Sequence, residues 1–129
     1  MKSLDIDVRE CHVKFGTEAP ATPVQAPDPS VMDARKKLIT EEFDELMVEL
    51  DARNMVGIIS ECIDLIYVCV GTLVVLGVPM MPFWKDIQRS NMDKEPAPDG
   101  GKWIKPSDWI PSNPKLVLHR LRQLARGQE

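Results

Sequence analysis

Residues 60–78 read SECIDLIYVCVGTLVVLGV, an almost wholly apolar stretch that carries Glu61 and Asp64 near its start. No Lys or Arg occurs from Asn54 to Trp84, so the local sequence offers these acids no counter-charge. An offset of three places both carboxylates on one face of a helix. An unpaired buried carboxylate costs several kcal/mol or is driven to take up a proton. Something else in the fold must therefore compensate the two acids.

The preceding segment supplies more acids with helical spacing. Residues 39–50, ITEEFDELMVEL, place Ile39, Phe43, Leu46 and Leu50 at three- and four-residue steps, which predicts a core-facing stripe. Along the edge of that stripe run four glutamates, Glu41, Glu42, Glu45 and Glu49. Like charges four residues apart are mildly destabilising unless something positive lies beside them. On its own this string is most often a solvated acidic face.

Two antiparallel helices joined at the polar break 51–54 would bring Glu42 and Glu45 opposite Glu61 and Asp64. A divalent cation would stabilise several carboxylates at once. An all-oxygen ligand set favours Mg²⁺, with Mn²⁺ as the alternative ion, over zinc. The competing interpretations are a buried network of shared protons, or pairing with Arg35 and Lys94. A di-iron centre is excluded because neither His12 nor His119 follows a Glu at the required offset.

The rest of the chain predicts an all-α protein. A short helix over 5–15 is expected to turn Ile6, Val8, Cys11 and Phe15 inward, and the proline-rich segment 18–30 to be an extended connector. Asp28-Pro29-Ser30 is typical of a helix start. Further helices are predicted from about Met55 to Leu76, from Pro79 or Pro82 to Lys94, and from Pro114 onward. In the last of these, Val117, Leu121 and Leu124 share one face.

Composition and length narrow the class of protein. The chain has 129 residues, a net charge of −4, and 43% hydrophobic residues, which indicates a soluble domain with no nucleic-acid partner. The apolar run Leu65–Val78 is shorter than the roughly 20 residues that a membrane span needs, so burial in a bundle or dimer is favoured. The N-terminus lacks a secretory pattern, and Cys62 and Cys69 lie about 10 Å apart on one helix, too far to bridge. A cytoplasmic, reduced protein is expected.

The acids and their neighbours resemble a known family. EExxE at Glu41-Glu42-Phe-Asp-Glu45, followed by ExxD at Glu61-Cys-Ile-Asp64, is similar to the MazG-like all-α nucleoside triphosphate pyrophosphatases. That superfamily includes the dimeric dUTPases and the phosphoribosyl-ATP pyrophosphohydrolases. The blocks VRECHVKFG, ARKKLITEEFDEL, ECIDLIYVCVGT, SNMDK and DGGKWIKPSDWIP extend the resemblance over about residues 8–111.

The resemblance implies a four-helix bundle-type fold, with a core shared in a homodimer or homotetramer. Residues 1–111 would form the catalytic domain, and residues 112–129 an added C-terminal helix. The implied reaction is hydrolysis of a nucleoside triphosphate between the α and β phosphates, giving a monophosphate and pyrophosphate.

The resemblance also assigns roles to single residues. Mg²⁺ would be held by Glu42, Glu45, Glu61 and Asp64, while Glu41 and Glu42 would take part in catalysis. Asn91 and Lys94 would bind substrate. The tail residues Lys102, Trp103, Lys105 and Trp109 are weaker candidates for closing over it. The alternative function is a non-catalytic helical module that binds a cation or a basic partner in an acidic groove.

Overall fold

The computed structural model describes residues 2–127 and consists of five α-helices. They are α1 (Leu4–Phe15), α2 (Pro29–Ala52), α3 (Met55–Val75), α4 (Met80–Met92) and α5 (Pro114–Gly127). Within this described part, the only β-type pairing is an isolated bridge between Glu95 and Ile104. The predicted all-α class is therefore confirmed.

The chain divides into two compact units, Met1–Val78 and Pro79–Glu129. The first unit contains α1, α2 and α3, with α3 packed against both of the others. The second contains α4 and α5, which contact each other. The predicted domain boundary at residue 111 stays a prediction.

Helix α2 begins where the sequence predicts it. The Asp28 side chain accepts hydrogen bonds from the backbone N–H groups of Ser30 and Val31, and Pro29 occupies the first helical position. These contacts satisfy N–H groups that a helix start otherwise leaves without partners. At the other end, Arg53 adopts a left-handed conformation with φ 52°, and Asn54 precedes the first residue of α3. Two residues thus join the long helices into an antiparallel hairpin.

The proline-rich connector is extended, and hydrogen bonds join its backbone to Arg9 on α1 and to Leu76 at the end of α3. The Arg9 guanidinium donates to the carbonyl oxygens of Ala19, at 2.7 Å, and Pro20. The Val24 N–H donates to the Leu76 carbonyl at 3.0 Å, just before the turn at Gly77. A Cβ at Gly77 would collide with the Thr22 carbonyl, and φ is +72° there, so glycine is required on both grounds.

Few apolar side chains are fully buried. The buried apolar residues of the described chain all lie in the first unit: Val8, Leu46, Val70, Val74 and Val75. The inward orientation predicted for Ile6 and Phe15 is wrong, since Phe15 is 72% exposed and Ile6 is also exposed. The predicted stripe on α2 is correct for Leu46 but not for Phe43 and Leu50, which are exposed in the single chain. Helix periodicity reports an apolar face, and it does not say whether the same chain covers that face.

Helix α3 also departs from the expectation of burial on every side. Only 22% of its most apolar window is buried. By length and composition alone, this 21-residue helix qualifies to cross a membrane, the one helix among the described residues that does. The helix qualifies because it extends back from the apolar run to Met55, and this extension brings Glu61 and Asp64 into it. The acids Glu61 and Asp64 within it remain the argument against a span.

The second unit is built around Trp109 and Arg89. The Trp109 indole N–H donates to the Ser90 carbonyl at 2.6 Å, and Arg89 donates to the carbonyls of Ile110 and Pro111 at 3.1 Å. Helix α5 begins at Pro114 as predicted, and the Asn113 side chain before it accepts from the Leu116 N–H at 3.1 Å. The face predicted for α5 is only partly buried, since Leu124 is exposed.

Candidate metal centre

Three glutamates meet where α2 and α3 pack against each other. Carboxylate oxygens of Glu42 and Glu45 on α2 and of Glu61 on α3 all lie within 4.8 Å of one another. The hairpin turn sets this register, because it pairs the last three turns of α2 with the first turns of α3. The predicted approach of the two acidic motifs is thus present in the geometry of the first unit.

Two of these carboxylates have an oxygen that is buried and lacks a hydrogen-bond partner, Glu42 Oε2 and Glu61 Oε2. Such atoms are costly, since buried polar groups in folded proteins almost always find a partner. Three hard oxygen donors converging on one point, two of them unpartnered, are the donor set that Mg²⁺ or Mn²⁺ prefers. The cluster therefore fits a divalent metal ion.

The electrostatics of the cluster agree with this interpretation. Burial, and then the neighbouring Glu45, Asp64 and Glu42, raise the pKa of Glu61 to about 7. The pKa of Glu42 is raised mainly by burial and then by the charges of Glu45 and Asp64. Both shifts disfavour the ionised carboxylates, first because burial removes water from them and then because the neighbouring acids repel them. A cation at this point would remove that repulsion and favour the ionised forms.

Asp64 stands slightly apart from the other three. It is exposed and does not belong to the group within 4.8 Å, but its charge acts on both Glu42 and Glu61. It lies three residues after Glu61, at the open edge of the cluster. The structure therefore brings Glu42, Glu45 and Glu61 together and leaves Asp64 beside them.

The other two glutamates of α2 lie elsewhere. Glu41 is exposed and lines a surface depression of about 570 Å³ together with Lys36 and Lys37. Glu49 lies over Gly57 in the first turn of α3, where its carboxylate faces the N-terminal end of the helix. A negative charge at that end is favourable because the N–H groups there are unpaired. Glu49 thus has a structural partner that its spacing from Glu45 did not predict.

Arg35 is not the counter-charge of the acids. Its guanidinium is buried and donates to Thr72 Oγ1 at 3.2 Å and to the Val68 carbonyl at 2.7 Å. Gly71 makes room for it, since a Cβ there would lie 2.5 Å from Arg35 Nη2. Sequence reasoning missed this arrangement. The signal for it was a glycine in the middle of an otherwise bulky apolar helix.

The predicted substrate residues Asn91 and Lys94 belong to the second unit. Lys94 Nζ donates to Asn91 Oδ1 at 3.1 Å and lies 5.4 Å from the centre of the Trp109 ring. Both side chains line a groove of about 420 Å³ that also includes Trp103. The two residues therefore contact each other at the end of α4, and their binding of substrate stays a prediction.

Comparison with known proteins identifies the family. No curated protein matches the chain. A scan against protein families matches residues 8–91 to phosphoribosyl-ATP pyrophosphohydrolase, a member of the MazG-like all-α superfamily. The match covers all of α2 and α3 and most of α1 and α4, and it contains every acid of the cluster. Membership implies a pyrophosphohydrolase activity and agrees with a cluster that can bind metal. This chain belongs to the phosphoribosyl-ATP pyrophosphohydrolase family.

Proposed function

We propose that the protein is a Mg²⁺-dependent nucleoside triphosphate pyrophosphohydrolase. It hydrolyses the phosphoanhydride linkage between the α and β phosphates, giving a nucleoside monophosphate and pyrophosphate. The observation that carries this proposal is the convergence of Glu42, Glu45 and Glu61 within 4.8 Å, with two buried oxygens unpartnered. A site of this kind has no obvious structural purpose, since its carboxylates repel one another. Family membership supplies the class of reaction.

In this proposal Glu42, Glu45 and Glu61 hold Mg²⁺, and Asp64, whose charge acts on Glu42 and Glu61, completes the set. Bound Mg²⁺ would supply the positive charge that phosphoryl transfer requires and would acidify the attacking water. The family resemblance gives Glu41 the role of general base toward that water, although in the single chain Glu41 lies outside the cluster, beside Lys36 and Lys37. Asn91 and Lys94 bind phosphate, with Lys94 acting as a point charge.

A second copy of the chain is the proposed partner. Helix α3 exposes Val56, Ile59, Ile63 and Ile66 at steps of three, four and three residues, and Val56 is 77% exposed. This spacing is that of a helix seam packed against another helix. Two copies, each contributing α2 and α3, would form a four-helix bundle around these seams. Cytoplasmic location is part of the same proposal, supported by three free cysteines.

The test of function is pyrophosphate release from a panel of ribo- and deoxynucleoside triphosphates and phosphoribosyl-ATP, with Mg²⁺ and with EDTA. We expect turnover of at least one substrate with Mg²⁺ and none with EDTA. Glu61→Gln should reduce kcat by at least about a hundredfold, because a metal-site residue supplies several kcal/mol of charge stabilisation. Glu49→Gln is the matched control, since Glu49 lies over Gly57, and it should retain activity within about threefold.

Two results would contradict the proposal. If micromolar enzyme releases no pyrophosphate from any substrate of the panel, the non-catalytic binding module is favoured. A kcat of Glu61→Gln within about tenfold of the wild-type kcat corresponds to a difference of only about 1.4 kcal/mol in the barrier. That result would place the chemistry elsewhere. The helix content of each variant, measured by circular dichroism, separates loss of function from loss of fold.

A further inference from the structure

The second unit contains a groove of about 420 Å³ beside the end of α4. This size falls within the roughly 300–1,000 Å³ of small-molecule pockets. Its lining includes the Asn91 amide, the Lys94 ammonium group, the Glu95 carboxylate and the Trp103 indole. Trp103 lies beyond residue 91, where the family match ends, so the family does not account for the aromatic side of the groove.

The two tail tryptophans have different surroundings. Trp109 is engaged within the unit: its indole N–H donates to the Ser90 carbonyl, and the amines of Lys94 and Lys105 lie 5.4 Å and 4.9 Å from its ring centre. Trp103 is 60% exposed and lines the groove. Trp109 therefore acts as a structural anchor, and Trp103 offers an open aromatic face.

The backbone beneath Trp103 is held in place. The next residue, Ile104, exchanges two hydrogen bonds of 2.8 Å with Glu95, which follows directly after Lys94. The intervening turn is closed by the Asp99 side chain, which accepts from the Gly101 N–H at 2.9 Å. A ligand that stacks on Trp103 would thus meet a residue whose neighbouring backbone is already ordered, which lowers the entropic cost of binding.

The polar side of the groove carries a positive charge on Lys94 and a negative charge on Glu95. Lys94 donates to the neutral amide of Asn91, and its second contact is the face of the Trp109 ring. Neither contact neutralises the ammonium charge, and both fix its position. An aromatic wall and a fixed cation in one groove are complementary to a base and a phosphate. The Glu95 carboxylate can accept hydrogen bonds from ribose hydroxyl or exocyclic amino groups.

We propose that this groove binds the nucleoside monophosphate portion of the substrate, with the base stacked on Trp103 and a phosphate oxygen on Lys94. The inference rests on the proposed function, because that reaction supplies a nucleotide as the ligand. Stacking depends on the π-face that every base has, so Trp103 contributes affinity and little base selectivity.

The probe for binding is α,β-methylene-ATP, whose α–β linkage resists hydrolysis, titrated calorimetrically in the presence of Mg²⁺. Trp103→Ala should raise its Kd about tenfold, and Trp103→Phe should restore most of the affinity. Trp84→Ala is the matched control, because Trp84 is 55% exposed and lies outside the groove lining. Inorganic tripolyphosphate, which has no base, should bind wild type and Trp103→Ala equally.

A Kd for α,β-methylene-ATP that Trp103→Ala leaves within twofold would overturn the inference. Equal weakening of tripolyphosphate would also overturn it, since the effect would then not involve a base. These failures are distinct from failure of the proposed function. If wild type and Trp103→Ala release pyrophosphate with the same KM, the proposed function stands and the inference about the groove fails. If the protein hydrolyses no substrate but binds the analogue through Trp103, the groove binds a nucleotide and the proposed function fails.

Discussion

At the residue scale, Glu61 shows how the fold disfavours the ionised form of a carboxyl group. Its pKa is raised to about 7, first by burial and then by the neighbouring acids, whereas its ordinary value is 4.5. A carboxyl group with a raised pKa binds its proton more tightly in the folded state than in the unfolded state. Its contribution to stability is therefore present at low pH and is lost as the pH rises through about 7.

The resulting prediction compares wild type with Glu61→Gln in EDTA. Between about pH 4.5 and pH 7, the free energy of unfolding of wild type should fall relative to that of the variant, because only wild type acquires the unfavourable charge. Urea unfolding at several pH values measures this difference. Adding Mg²⁺ at pH 8 should raise the stability of wild type and not that of Glu61→Gln. A difference independent of pH and Mg²⁺ would contradict both the pKa shift and the metal site.

Two glycines of α3 make a second prediction at this scale. A Cβ at Gly71 would lie 2.5 Å from Arg35 Nη2 and 3.1 Å from His12 Nε2, both on buried side chains. Gly71→Ala should therefore lower the free energy of unfolding by about 1–3 kcal/mol. In Gly57→Ala the atoms nearest to the new methyl belong to the flexible Glu49 side chain, which can move aside, and alanine gains about 1 kcal/mol of helix propensity. Thermal melting of Gly57→Ala should therefore show a stability equal to or above that of wild type. Equal losses of stability in Gly57→Ala and Gly71→Ala would show that crowding at Arg35 does not cause the loss in Gly71→Ala.

At the element scale, the helix boundaries could be predicted because they depend on local chemistry. Asp28 and Pro29 start α2, and Gly77 follows α3, each for reasons that involve only a few neighbouring residues. The hairpin turn was predicted as a polar break, but the residue with positive φ was not. Asn54 adopts that conformation more readily by type, yet it precedes α3 in an extended conformation, so Arg53 takes the left-handed position.

This turn gives a prediction for an element boundary. Arg53 is the one described non-glycine residue with positive φ, at 52°. Replacing it with glycine should raise the free energy of unfolding by about 0.5–1 kcal/mol, because the strain of the left-handed conformation is relieved. Arg53→Ala is the control and should give no such gain, since alanine has the same Cβ. Chemical denaturation of the three proteins side by side measures the effect, and a gain in Arg53→Ala alone would contradict the explanation.

At the scale of the whole molecule, the pattern of side chains predicts apolar faces but not what covers them. Phe15, Phe43 and Leu50 fall at core-like positions in the sequence and yet are exposed in the single chain. Burial is a property of the assembly, and one sequence read in isolation does not distinguish a core from an interface. The acid cluster was predictable for the opposite reason, since its geometry follows from two helices and one short turn.

The last prediction concerns assembly. With only five buried apolar residues among those described, the chain should require a second copy to cover the α3 seam. Ile63→Lys places a charge on a residue that is 58% exposed in the single chain, so it should not disturb the fold of one copy but should disrupt the dimer. Sedimentation should give a dimer for wild type and a monomer for Ile63→Lys. Val13→Lys on α1, outside the seam, is the control and should remain dimeric. A monomeric wild type would contradict the proposed dimer. A wild-type protein that can be purified only in detergent would also contradict it, because the seam would then face lipid.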